Sequence, residues 1–325
     1  MIDRNDRAAA SPFAVPQARP LERAKFRDPL RTAQGDARAH IALRRLDTLW
    51  INTGTLCNLA CQTCYIESSP TNDALVYMSL AEVDAFLDEA ERLGTREIGF
   101  TGGEPFMNPH MVAMMRSALA RGFEVLVLTN AMRPMRRFED QLDALRRELG
   151  ARLTMRVSLD HYTQAVHEAE RGANSWDKAI DGCRWLADHG FRLAVAGRHL
   201  AGESDAAARA GYARLFEEQG LRIDAFDRAA LVLFPEMDET ADVPEISEAC
   251  WGLLGVSRET VMCASSRMVV KRKGVSRPVV VACTLIPYDR RFELGETIAE
   301  ATGAISLNHP HCARFCVLGG ASCSG

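Results

Sequence analysis

Three cysteines, Cys57, Cys61 and Cys64, fall in one short stretch, TGTLCNLACQTCYIESSP over residues 53–70. Thiols at this density can hold a zinc ion, form a redox disulfide or grip an iron–sulfur cluster. Structural zinc takes four protein ligands, usually in pairs, and this loop offers three with no histidine beside them. A redox pair of Cys61 and Cys64 leaves Cys57 unexplained. Three thiolates suit a cubane [4Fe–4S] cluster with one iron open to a non-protein ligand.

Six of the ten cysteines come late, as Cys250, Cys263, Cys283, Cys312, Cys316 and Cys323. Cys263 and Cys283 bound CASSRMVVKRKGVSRPVVVAC, two β-rich runs about a basic, glycine-bearing turn. That pattern predicts a hairpin with both thiols at its open end. GETIAEATG predicts a short helix, followed by HPHCARFCVLGGASCSG with Cys312, Cys316 and Cys323. A zinc knuckle is the alternative for this set, because His309 and His311 stand beside it. Cys250 lies at helical spacing from Ile246 and Leu254, and Cys183 shares a face with Trp176 and Ile180. Both read as core, since a free thiol buries readily as a small hydrophobe.

The elements that position these residues alternate. Short apolar runs occupy 47–53, 96–101, 123–129, 152–159, 191–198 and 229–234. Amphipathic segments lie at 79–94, 136–150, 175–190 and 204–220, with Ser79, Ser175 and Ser204 as expected N-caps and Gly94, Gly150, Gly190 and Gly220 as expected stops. Such alternation implies an α/β fold around a mostly parallel sheet. A flavodoxin-like open sheet serves the pattern nearly as well as a barrel. Each of the first five runs ends in something chemically distinctive: the cysteine loop, TGGEP, TNA, SLDH and GRHL. Parallel α/β folds carry their sites on that edge. Gly102 and Gly103 would let a ligand approach backbone groups, and Arg198 could pair with a carboxylate. His161 and His199 also lie there, and both read as structural or surface residues.

The bulk numbers are those of an ordinary globular chain. It has 325 residues, 47% of them apolar, and a formal charge of −4. That balance gives no reason to expect nucleic acid or an anionic membrane as partner, and no run approaches the roughly 18 apolar residues of a membrane span. The N-terminus lacks an apolar signal core, so a cytoplasmic location with reduced thiols is expected. Residues 1–46 read as an irregular arm or strap, and the acidic, proline-bearing stretch after Phe234 reads as a linker or cap.

The spacing Cys57-x3-Cys61-x2-Cys64 after a first strand, with GGEP after the second, resembles the radical S-adenosylmethionine (SAM) superfamily. The likeness spans residues 47 to about 234 and implies a partial (β/α)6, TIM-like barrel over 47–235. It further implies that the open iron binds SAM through its amino and carboxylate groups. One electron then cleaves the sulfonium, and the resulting 5′-deoxyadenosyl radical abstracts hydrogen from a substrate. Gly102, Gly103 and Glu104 match the segment lining the site of SAM's methionyl amino group. Ser158 and Asp160 match fourth-strand contacts to its methionyl or ribose groups, and Asn130 and Arg198 share that edge. Many members carry an aromatic residue where this chain has Thr63; Tyr65 follows instead, as the candidate for seating adenine. Residues 236–325 resemble the twitch or SPASM-type extension, which implies one auxiliary [4Fe–4S] cluster. Cys263 and Cys283 are its firmest expected ligands, with Cys312, Cys316 and Cys323 competing for the rest. An electron donor such as flavodoxin or ferredoxin is implied. A small-molecule substrate is favoured over a peptide, because the first 46 residues look too short for a peptide-recognition domain. The competing class is a non-catalytic iron–sulfur or zinc-binding scaffold or electron carrier.

Overall fold

The computed structural model describes residues 11–236 and 238–319. Six parallel strands form its centre: β2 (Thr48–Asn52), β3 (Glu97–Thr101), β4 (Glu124–Thr129), β5 (Leu153–Ser158), β6 (Arg192–Arg198) and β7 (Leu231–Phe234). They coincide with the six apolar runs. The helices α1 (Leu80–Arg92), α3 (Glu139–Leu149), α5 (Trp176–Asp188) and α6 (Asp205–Glu218) fall in the four amphipathic segments. Ser79 closes a capping box with Glu82, and Ser204 caps through the Ala207 amide. Ser175 does not cap. Its backbone is already helical (ψ −30°), which turns its hydroxyl away from the amides that an extended N-cap residue reaches. Gly94, Gly190 and Gly220 are left-handed as expected of stops, whereas Gly150 stays right-handed and leads into a 3-10 turn.

Two further helices complete the crossovers, α2 (Met111–Ala120) between β3 and β4 and α4 (Gln164–Arg171) just before α5 between β5 and β6. Helix α2 buries Met111, Val112, Met114, Met115, Ala118 and Leu119 on one face, and the alanines Ala113 and Ala120 on the exposed side weaken its amphipathic contrast. Helix α4 has eight mostly polar residues. Where a short helix is expected near 295–303, there is a 3-10 turn, Glu300–Thr302.

Alternation along each strand divides the core in two. Leu49, Ile51, Val125 and Val127 face the helices, while Trp50, Leu126, Met268 and Val270 face a second core built with the C-terminal segments. Each such side chain contributes about 1.5–3 kcal/mol by leaving water. The predicted hairpin forms from β8 (Ser266–Val270) and β9 (Val279–Val281). Strand β8 also lies parallel to β2, and β10 (Glu293–Gly295) pairs with β9. The result is one open nine-stranded sheet, β10-β9-β8-β2-β3-β4-β5-β6-β7. The C-terminal hairpin thus extends the same sheet that begins at residue 48.

The described part of the N-terminal arm is a fixed strap. Its strand β1 (His40–Ile41) pairs with β11 (Ile305–Ser306), and Pro20 and Arg38 bridge to Ala241 and Ser247. Buried Arg38 meets Glu245 at 2.5 Å and donates to the carbonyls of Asp28, Arg31 and Leu307. The acidic stretch expected as a linker is therefore the strap's partner, with Ala241, Val243 and Ile246 buried. Among the described residues, no helix is long and apolar enough to cross a membrane.

Candidate functional site

The cysteine loop leaves β2 under tight backbone control. The amides of Thr53, Thr55 and Cys57 donate to the carbonyls of Thr101, Leu75 and Ser69. The glycine pair of TGGEP fits against this loop. Gly102 has φ +146°, and a Cβ there would lie 2.5 Å from the Gly54 carbonyl oxygen; at Gly103 it would lie 2.3 Å from that of Leu56. Only glycine permits this approach, and the Gly103 and Glu104 amides use it to donate to Gly54 and Leu56.

Glu104 braces the next loop. Its carboxylate accepts from the Thr129 hydroxyl and the Asn130 amide, each at 2.8 Å, and from the Phe106 amide at 3.2 Å. Burial nevertheless pushes it up to about 7. Asn130, so held, directs its side-chain amide to Asn58 Oδ1 (2.9 Å) and to Cys57 Sγ (3.9 Å), while the Leu59 amide donates to Cys57 Sγ at 3.4 Å.

Cys57, Cys61 and Cys64 line one cavity of about 170 Å³. Of the other residues expected at the site, Gly102, Gly103, Asn130, Ser158, Asp160, Arg198 and Tyr65 line it too. Glu104 does not: its carboxylate points into the brace just described. Burial pushes the Cys57 thiol up to about 12 and raises Cys61 and Cys64 as well, with the Ser68 and Ile66 amides easing Cys64. Buried thiolates of this kind need a cation to become the stable form. Three such sulfurs, with N–H groups aimed at one of them, fit an iron–sulfur cluster.

Two polar residues that the sequence does not single out, Arg171 and Glu170, lie against the cavity beside the expected Arg198. Arg171, at the end of α4, forms a bidentate pair with Asp160 at 2.6 and 3.2 Å. Burial opposes the charge on Asp160, but Arg171 prevails and holds it below the usual carboxylate range. Glu170 accepts from both the amide and hydroxyl of Thr63, each at 2.8 Å. Arg198 donates to Thr63 Oγ1 and to Glu236, both at 2.6 Å. An Arg-Gly helix end is an ordinary stop signal, so only the tertiary fold shows these contacts. Opposite stands an apolar wall of Leu128, Phe234, Leu285 and Phe315, the two phenylalanine rings stacked 5.4 Å apart. Beyond Tyr65 the cavity continues into a groove of about 950 Å³ that Cys61, Thr63, Cys64 and Leu285 also line.

The late cysteines gather as well. Cys263, Cys283, Cys312 and Cys316 line a void of about 20 Å³, with Leu285 as a wall shared with the first cavity. Burial raises Cys263 to about 11 and lifts Cys312 further, Cys283 and Cys263 adding to the rise. Cys312–Leu318 winds as a π-type helix, a form frequent at functional sites. Among the described residues, no three of His, Cys, Asp or Glu converge closely enough for one metal ion. The cysteines therefore surround a space without meeting at a point. His309 and His311 turn to Glu239, at 3.5 and 3.9 Å. Cys183 is core, Cys250 sits partly buried at the start of a short helix, and Cys323 lies outside the described residues.

Residues 51–205 match the model of the Radical SAM superfamily. Mycofactocin maturase MftC of Mycobacterium ulcerans (strain Agy99) is 30% identical over 159 residues, covering 46% of this chain and 40% of that protein. GTP 3′,8-cyclase 1 of Mycobacterium tuberculosis (strain ATCC 25618 / H37Rv) is 28% identical over 192 residues, covering 56% and 48%. The chain thus spans less than half the length of either relative. Among solved structures, Streptococcus suis SuiB bound to precursor peptide SuiA matches with a TM-score of 0.57 at 11% identity, covering 78% of this chain and 63% of that one. That likeness concerns the fold.

Proposed function

With residues 51–205 belonging to the radical SAM superfamily, whose members are enzymes that use a [4Fe–4S] cluster and SAM, we propose that Cys57, Cys61 and Cys64 hold that cluster and that the enzyme modifies a peptide. When bound, the cluster and SAM supply a one-electron cleavage that yields methionine and a 5′-deoxyadenosyl radical. The chain's own residues do the rest. The Asn130 side chain and the Leu59 amide donate to the Cys57 sulfur, Gly102 and Gly103 hold the loop, and Ser158 and Asp160 face the cavity where SAM's polar groups would lie. The apolar wall keeps water from the reacting centre, and Tyr65 stands at the entrance to the groove. Cys263, Cys283, Cys312 and Cys316 would hold an auxiliary [4Fe–4S] cluster beyond Leu285, where it could take an electron from the substrate. A flavodoxin or ferredoxin is the proposed reductant.

The observation that carries the peptide reading is the groove of about 950 Å³ that opens onto the cysteine loop, since an extended chain needs such a channel and a compact substrate does not. SuiB, of similar fold, has a structure with its precursor peptide. The small-molecule reading keeps one support, the relative named as a GTP cyclase. The test is to incubate reconstituted protein with SAM, dithionite and pooled random peptides. Peptide-dependent stimulation of 5′-deoxyadenosine release, with a mass change in a peptide, is expected. Stimulation by nucleotides or other small metabolites, with none from any peptide, sinks the peptide reading.

A further inference from the structure

We propose that Glu170 and Thr63 form a clamp that positions the cysteine loop between Cys61 and Cys64, with Arg198 as its counter-ion. This rests on the reading that those cysteines carry the radical-generating cluster. Glu170 is 2% exposed. One carboxylate oxygen accepts the Thr63 amide and hydroxyl, the other accepts Ser11 Oγ at 2.9 Å, and its carbonyl accepts the Gln62 amide at 2.9 Å. The Thr63 hydroxyl has one proton to give. It gives that proton to Glu170 and accepts Arg198 Nη1 on its free side. Arg198 lies 3.5 Å from Glu170, binds Glu236 just past β7, and stacks 4.1 Å over the ring of Phe13. The strap, through Ser11 and Phe13, and the segment after β7, through Glu236, thus close on the same two residues.

Gln62 is held by the backbone carbonyl of Glu170 and Thr63 by its carboxylate, so loss of that carboxylate releases the residue directly before Cys64. Buried charge-assisted hydrogen bonds fix geometry more firmly than neutral ones. A phenylalanine at position 63 could neither donate to Glu170 nor accept from Arg198 through its side chain, and no aromatic residue carries a hydroxyl on Cβ, where Thr63 makes both contacts. The threonine that departs from the superfamily's common pattern is thereby explained as half of a clamp. Thr63, Glu170 and Arg198 act through the loop and are positioning residues.

Thr63→Val removes the hydroxyl while keeping the shape, Thr63→Ser restores it, and Glu170→Gln removes the charge. Each full-length variant is reconstituted and compared with wild type by iron analysis, by electron paramagnetic resonance of the reduced cluster with and without SAM, and by 5′-deoxyadenosine release. Iron content is expected to match wild type. The change that SAM induces in the spectrum should be weakened or lost in Thr63→Val and Glu170→Gln, with release slowed about tenfold. Thr63→Ser should return within about twofold of wild type. If Glu170→Gln fails to fold, the Val and Ser variants decide the matter. A wild-type spectrum and a rate within about twofold for Thr63→Val overturns the clamp. Full iron retention in Cys57→Ala overturns the cluster reading itself, and the clamp with it.

Discussion

Replacing Asp160 with asparagine isolates the ion pair at the floor of the cavity. The Asp160 and Arg171 side chains are 11% and 12% exposed and share two hydrogen bonds, at 2.6 and 3.2 Å; among the described residues no other carboxylate lies as close to the guanidinium. Asparagine keeps one acceptor but strands the charge of Arg171. Removing one partner of a buried pair costs about 3–5 kcal/mol. With an unfolding entropy of about 2.1 cal/mol/K per residue, that lowers the Tm of this chain by about 4–7 °C. The assay is thermal and urea unfolding of the metal-free full-length protein, carried through a double-mutant cycle with Arg171→Met. Losing both charges together should cost less than the sum of the single losses, with a coupling of about 2 kcal/mol or more. Because Arg171 lowers the Asp160 pKa, the stability it contributes is fully present above the unfolded value of about 3.9. It is lost as pH falls through the lower folded value. The Asp160→Asn deficit should therefore be complete at neutral pH and shrink in acid. A deficit below about 1 kcal/mol at pH 7, or strict additivity in the cycle, refutes the reasoning.

Glu104 gives the opposite pH signature, because its folded pKa is raised from 4.5 to about 7 by burial. The folded protein holds that proton longer than the unfolded chain, so wild type should lose stability, of order 2–3 kcal/mol, as pH rises from about 4.5 to 7. Glu104→Gln should flatten urea-unfolding stability across that window. Cys183, fully buried in the helix-side core, should tolerate conversion to serine at a cost of about 1–3 kcal/mol for the buried hydroxyl, with iron content unchanged. Arg38→Ala strands buried Glu245 and should cost about 3–5 kcal/mol, with limited proteolysis cutting first within the strap.

Much of this was legible because it rests on local chemistry. The six central strands follow from apolar runs, and Ser79 and Ser204 cap where a hydroxyl meets a free amide. The three cysteines that follow β2 share one cavity, as their closeness in one short loop leads one to expect. What was not legible depends on contacts distant in the chain. Helix α2 buries one face, but two of its three exposed positions are alanines, Ala113 and Ala120, so the apolar-to-polar contrast is weak. Glu104 looks like a ligand beside two glycines, yet its oxygens are taken by Thr129, Asn130 and Phe106. Nothing near Thr63 in sequence names Glu170, 107 residues away. The hairpin was visible from its β-rich runs and turn, but its parallel docking on β2 requires the whole sheet.

The central claim is that Cys57, Cys61 and Cys64 hold the cluster that cleaves SAM. The most direct measurement is 5′-deoxyadenosine release by anaerobically reconstituted protein given SAM and dithionite. Wild type should release it. Cys57→Ala, Cys61→Ala and Cys64→Ala should each abolish release and lower the iron from about eight atoms per chain, the content of two [4Fe–4S] clusters, to about four. No release from wild type, together with unchanged iron in all three variants, would contradict the account.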